Sequence, residues 1–128
     1  RVHQYLSFSV NSPSQYALAK YLEIFDAEEN QKNMQQKRDF FLNEFKNLPF
    51  SLKEKAEAGY FQVLGYEKIS NVSDKEFAIW LTEQAKVATI PLSAFYHDET
   101  NTGMIRFSFA KKEETIADAS SKIKDFLG

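Results

Sequence analysis

An α+β fold, with a small antiparallel or mixed sheet of about three to four strands covered by about four helices, is what this sequence of 128 residues predicts. Three observations carry the prediction. Two segments open on a helix-capping pattern, the apolar spacing alternates along the chain between helical and strand period, and Pro and Gly stand where the period changes.

Ser12-Pro13-Ser14-Gln15 places a hydroxyl before a proline at the first helical position, with Gln three residues after the hydroxyl to return a hydrogen bond, so a helix is expected to start there. Leu18, Leu22 and Phe25, with Tyr21 beside them, give it one apolar face through about residue 28. Met34, Phe41, Phe45 and Leu48 define a second amphipathic helix among charges such as Lys37, Arg38 and Asp39, stopped by Pro49.

Between Pro49 and Ser73 the period becomes two, with a weak strand expected over Leu52 to Ala56 and a stronger one over Tyr60 to Leu64, after Gly59. Ser73 and Glu76 form a capping box, and Phe77, Trp80 and Leu81 supply the apolar stripe of the helix behind it. Val87 to Ile90 reads as a short strand ended by Pro91, and Met104 to Phe109 as another that can pair with it antiparallel. The polar loop of residues 97–103 separates them. A last helix carries Ile116, Ala119, Ile123 and Phe126 on one side, with Glu113 and Glu114 near its positive N-terminal end.

Composition narrows the function classes. A net charge of -2, with Lys and Arg dispersed among Asp and Glu, does not suit a nucleic-acid phosphate backbone, which needs concentrated positive charge. No apolar run reaches the roughly 20 residues that span a bilayer, so no membrane role is expected. The absence of Cys removes thiol chemistry and is compatible with a reducing compartment, so a cytoplasmic location is expected. The chain opens on Arg1 rather than Met, as a piece of a longer polypeptide would. Its aromatic content of 15% is high for a small domain, and two readings stay open: the rings fill the core, which composition alone favours, or some of them face a neighbour.

Little chemistry can be assembled from the residues alone. Two histidines, His3 and His97, and no Cys leave no metal-ligand spacing, and no metal is expected. The four glycines are too scattered to cradle a phosphate, and no Gly-x-Ser-x-Gly elbow exists. The pairs Glu28-Glu29 and Glu113-Glu114 fall on helices, where solvation and the helix dipole explain them. Arg106 stands out. In Met104-Ile105-Arg106-Phe107-Ser108-Phe109-Ala110, alternation puts Ile105, Phe107 and Phe109 on one face and Arg106 with Ser108 on the other. Two readings stay open for it: an exposed residue with a surface ion pair, or a fixed guanidinium fork for a substrate carboxylate.

The order of short segments resembles the C-terminal small domain of the fold-type I pyridoxal-phosphate-dependent aminotransferases, in particular the methionine and kynurenine aminotransferase branch. Val2-His3-Gln4-Tyr5 with Phe8 resembles the segment leaving the cofactor region, and Pro13 to Ala19 the helix after it. Ala58-Gly59-Tyr60-Phe61 resembles the family's Gly-x-Phe strand. Val87 to Tyr96 resembles the strand and loop returning to the substrate pocket, and Ile105 to Ala110 the arginine strand.

The resemblance implies that residues 1–11 lead from a missing cofactor-binding large domain and that residues 12–128 form the small domain. It implies an amino group moved from an L-amino acid, of methionine or aromatic type, to a 2-oxo acid, with the cofactor as electron sink. Pyridoxal phosphate is expected in the full-length enzyme and none on this chain alone, because the cofactor lysine falls upstream; Lys111 and Lys112, adjacent at a helix start, read as solvated. No catalytic residue is therefore assigned here, and the chain by itself is expected to be inactive. Arg106 is the implied substrate-carboxylate ligand. Phe8 matches a ring that walls the pocket from the neighbouring subunit of a homodimer. Ser9 departs from the His found after that Phe in kynurenine-type relatives, and Leu92 stands where broader relatives carry Gly, in keeping with the narrower branch. The rival readings are a non-enzymatic α+β interaction domain with an Arg-bearing edge strand and an aromatic surface, and a fragment of a related fold-type I lyase.

Overall fold

The computed structural model describes residues 2–6, 9–98 and 100–128. It divides between Gln31 and Lys32 into two compact units. The first holds α1 (Val2–Leu6), α2 (Ser12–Leu22) and the start of α3 (Ala27–Phe45). α2 is capped one residue earlier than expected: Asn11, not Ser12, accepts the Ser14 N–H at 3.0 Å, and its carbonyl receives the Gln15 N–H. An Asn side chain reaches the third N–H as a Ser hydroxyl does, and here it already lies in the extended conformation a cap requires. The helix does not continue to residue 28. Asp26 accepts the Glu28 and Glu29 N–H groups at 2.9 and 3.0 Å and so starts α3, which is longer at its N-terminus than the Met34 to Leu48 pattern suggests.

The second unit holds the rest of α3 and a three-stranded antiparallel sheet of β1 (Phe61–Gly65), β2 (Ile90–Pro91) and β3 (Met104–Ser108), in the order β1-β3-β2. Two further helices, α4 (Asp74–Ala85) and α5 (Glu113–Leu127), complete it, with a 3-10 turn over Leu92–Phe95. The α+β prediction holds in class and strand count. β3 is the central strand, pairing Val63 of β1 and Ile90 of β2 with Arg106 on either side, so the arginine is not on an edge. β1 and β3 both follow loops with a glycine at positive φ, Gly59 at 74° and Gly103 at 63°, a conformation open to glycine at no steric cost.

One expected strand is absent and another is shorter than read. Leu52 to Ala56 forms no strand; the ladder stops at a single bridge between Ser51 and Gly65. The buried Gln62 side chain takes the place of a strand neighbour there, accepting the Ala56 N–H at 3.0 Å and donating to the Glu54 carbonyl at 2.8 Å. Arg38 adds a bond to the Ala56 carbonyl. Over Val87 to Ile90 only Ile90 joins the sheet, followed by Pro91, which a short edge strand tolerates because it needs no ladder donor there.

One face of the sheet is the core. Leu64, Ile105 and Phe107 pack with Phe41 and Phe45 of α3, Phe77 and Leu81 of α4, and Ile116 and Ile123 of α5. Phe107 lies edge-on to Phe45, with ring centres 5.1 Å apart, and Tyr66 stacks on Phe77 at 4.0 Å. The Ser73–Glu76 capping box of α4 is present in both directions, as expected. α5 is tied to α3 where the Ser120 hydroxyl donates to the Glu44 carbonyl at 2.9 Å. No helix among the described residues is long and apolar enough to cross a membrane.

Candidate functional site

The sheet face opposite the core carries Phe61, Val63, Met104 and Arg106, all half-buried. Strand alternation produces this: with Ile105 and Phe107 committed to the core, Arg106 must stand on the other side. Its guanidinium carbon lies 3.8 Å from the centre of the Phe61 ring and 4.5 Å from that of Phe95. Phe61 is in place because it lies two residues before Val63, the cross-strand neighbour of Arg106, and so on the same face. Phe95 comes from the 3-10 turn after β2.

Two ring faces attract a guanidinium through the aromatic quadrupole, by about 0.5–1 kcal/mol each when exposed and more when desolvated. Their larger effect is geometric. A planar group between two rings keeps its plane, and its donors point out along that plane. The Arg106 Nε is buried without a hydrogen-bond partner, and no carboxylate among the described residues lies within ion-pair distance of the guanidinium. The surface-ion-pair reading of Arg106 therefore has no partner among the described residues.

The turn that carries Phe95 is held from α4. Asp74, the first residue of that helix and only 1% exposed, accepts the Ser93 N–H at 2.9 Å, the Ser93 hydroxyl at 2.6 Å and the Thr102 hydroxyl at 3.1 Å. Burial pushes its carboxyl pKa up, and these bonds from Ser93 and Thr102 outweigh burial and leave it below the ordinary value. Asp74 therefore stays an anion inside the protein.

Phe8, the other expected site residue, lies outside the described residues. His97 is exposed in its loop. No group of His, Cys, Asp or Glu among the described residues is arranged to hold a metal ion. Every described lysine is exposed except Lys37, which is half-buried and donates to the Lys111 carbonyl at 2.6 Å; Lys111 and Lys112 are solvated, as expected.

Sequence reasoning singled out Arg106 but did not assign Phe61, Phe95 and Asp74 to its support. Both phenylalanines stand in the segments that carry the resemblance, yet nothing local says that their rings meet one guanidinium. Asp74 lies inside a capping box, in the first turn of a helix, where an acidic residue is ordinary.

The family model for aminotransferase class I and II matches residues 2–123. The chain belongs to this family. Among its aminotransferase relatives, methionine aminotransferase of Escherichia coli (strain K12) is 39% identical over 97% of this chain and 32% of its own length. The crystal structure of YbdL from Escherichia coli, described as having a methionine aminotransferase function, superposes with a TM-score of 0.80 at 39% identity, covering 97% of this chain and 33% of that one. N-succinyldiaminopimelate aminotransferase from Mycobacterium tuberculosis gives a TM-score of 0.84 at 26% identity, over 98% and 33% of the respective chains. The chain thus spans about a third of the length of the aminotransferases it matches. Aminotransferases of this family in general work with pyridoxal phosphate.

Proposed function

We propose that this chain supplies the substrate-carboxylate grip of an aminotransferase that moves the amino group of an L-amino acid, of methionine or aromatic type, to a 2-oxo acid. The observation that carries the reading is the Arg106 guanidinium held between Phe61 and Phe95, with no carboxylate of the described residues paired to it. The methionine-type donor is favoured by the 39% identity to a methionine aminotransferase, and the two phenyl rings make the surroundings of the grip apolar. A 2-oxo acid offers the same carboxylate as the amino acid, so one arginine serves both half-reactions.

Pyridoxal phosphate supplies the electron sink when bound to the whole enzyme, and the lysine and phosphate ligands that hold it belong to polypeptide outside this chain. Within the chain, Arg106 binds and orients: two donors aimed at the two carboxylate oxygens fix the rotation of the α-carbon, and the flanking rings exclude water from the contact. Residues 1–11 lead into this domain from the cofactor-binding part. Phe8 is the ring contributed to the pocket of a second subunit in a homodimer. The 128 residues alone are inactive, having no desolvated lysine to act as base. The cysteine-free composition suits the cytoplasm as the location of the enzyme.

The test is made in the full-length enzyme. Arg106→Lys keeps the charge and loses the planar fork, so amino-acid turnover falls while folding survives. Arg106→Ala lowers kcat/KM for L-methionine by roughly 10²–10³, the scale of charged hydrogen bonds lost from a desolvated contact. Cofactor absorbance is retained. An unchanged kcat/KM in Arg106→Ala removes the assignment.

A further inference from the structure

We infer that Asp74 is a positioning residue for carboxylate recognition: through Ser93 it holds the 3-10 turn that presses Phe95 against the Arg106 guanidinium. The inference rests on the reading of Arg106 as the carboxylate grip and extends it to a side chain that touches neither substrate nor cofactor.

An acidic residue at the first position of a helix ordinarily serves the helix, by accepting its free N–H groups or complementing its dipole. Here that task is already taken. Ser73 accepts the Glu76 N–H, and Glu76 returns a bond to the Ser73 N–H, so α4 is capped without Asp74. The Asp74 carboxylate accepts hydrogen bonds instead from the two loops that border the arginine, from Ser93 after β2 and from Thr102 before β3. Its own N–H is taken by the Asn101 side chain at 3.1 Å, which ties the second loop down again.

Burying a carboxylate is costly unless hydrogen bonds replace its water, and three are supplied, two of them from one residue. Engaging both the N–H and the hydroxyl of Ser93 fixes the orientation of the turn's backbone as well as its position. Phe95 lies two residues further along that turn, with no ladder of its own and 57% of the residue exposed, so packing holds it weakly. The Asp74–Ser93 contact is therefore the firm point from which the second wall of the arginine slot is set. On the other side, Phe61 is secured by the β1–β3 ladder. A looser turn would leave Arg106 charged and in place but free to rotate out of the plane that meets a carboxylate.

The experiment uses the full-length enzyme with Asp74→Asn, Ser93→Ala and Thr102→Val, and Arg106→Ala beside them. For each, kcat/KM is measured for L-methionine and for 3-(methylthio)propylamine, the same molecule without its carboxylate. The ratio of the two reports carboxylate recognition and is unmoved by a general loss of active protein. Asp74→Asn lowers the ratio about ten-fold and Ser93→Ala less, mainly through KM for the amino acid, because the guanidinium is displaced rather than removed. Thr102→Val, which spares the Ser93 contact, changes it least. If Arg106→Ala collapses the ratio while folded Asp74→Asn and Ser93→Ala keep the parent value, the positioning role is overturned and the grip stands. A fall of both substrates together in Asp74→Asn and Ser93→Ala also overturns it, leaving Asp74 a structural residue. If Arg106→Ala itself leaves the ratio unchanged, the grip fails and the positioning role falls with it.

Discussion

A free arginine side chain carries roughly 2 kcal/mol of rotamer entropy, and the two rings around Arg106 spend part of that loss before any ligand arrives. Other single residues in the chain are tuned by their partners in ways that pH can read. Glu67 accepts from Lys53 at 2.8 Å and from Ser51 at 2.7 Å, and these bonds, the lysine's first, hold its carboxyl at about 2 against an ordinary 4.5. Since the shift is downward in the folded chain, the stability Glu67 adds is present above about pH 4.5 and is lost as pH falls through about 2. Its side chain is 46% exposed, so solvent screening keeps the contribution small. Tyr66 moves the other way. Burial first, then the negative charges of Asp74 and Glu76, pushes its hydroxyl up to about 12 from 10.0, so its stabilisation is complete below pH 10 and disappears as pH rises through about 12. Urea unfolding measured across pH should show Glu67→Gln flattening the acid limb and Tyr66→Phe flattening the alkaline limb. Near neutral pH Tyr66→Phe should cost about 1 kcal/mol for the bond its hydroxyl gives the Val72 carbonyl.

Among the elements, helix starts separate what local pattern can and cannot resolve. At α4 the hydroxyl, the spacing to Glu76 and the apolar stripe agree, and the capping box forms at Ser73. At α2 the same kind of pattern pointed to Ser12, but two adjacent residues can both cap, and Asn11 has the extended backbone while Ser12 is already helical. The difference is measurable. Ser73→Ala should lower stability by about 1 kcal/mol in a thermal or urea melt. Asn11→Ala should speed amide exchange at Ser14, whose N–H it accepts, and Ser12→Ala should leave that exchange rate alone. Unchanged Ser14 exchange in Asn11→Ala would restore the Ser12 assignment. Strand ends behaved similarly. Leu52 to Ala56 has a strand's alternation, yet its hydrogen bonds go to the Gln62 and Arg38 side chains, a choice made by residues several positions away.

For the molecule as a whole, apolar exposure is concentrated before residue 26. Leu6, Leu22 and Ile24 are 79%, 66% and 81% exposed, and no residue of α2 is buried. Such surface seeks a partner, so the 128-residue chain alone should self-associate as concentration rises, and replacing Leu18, Leu22 and Ile24 with polar residues should suppress the association. Light scattering over a concentration series decides this, a monomer at all concentrations being the adverse result. The α+β class, the sites of most elements and the inward face of β3 were legible in the sequence because each follows from local period and capping, which short-range geometry dictates. The outward direction of Arg106 followed from the same alternation, and the carboxylate role proposed for it from the resemblance of its strand. What only the tertiary structure decided is non-local: β3 at the centre of the sheet, Phe61 brought over Arg106 by a pairing between strands some forty residues apart, and Phe95 brought to the other side by a turn anchored on Asp74. No periodicity encodes those meetings, because they depend on which strands pair and on which buried carboxylate two loops converge, and both are settled by packing of the whole chain.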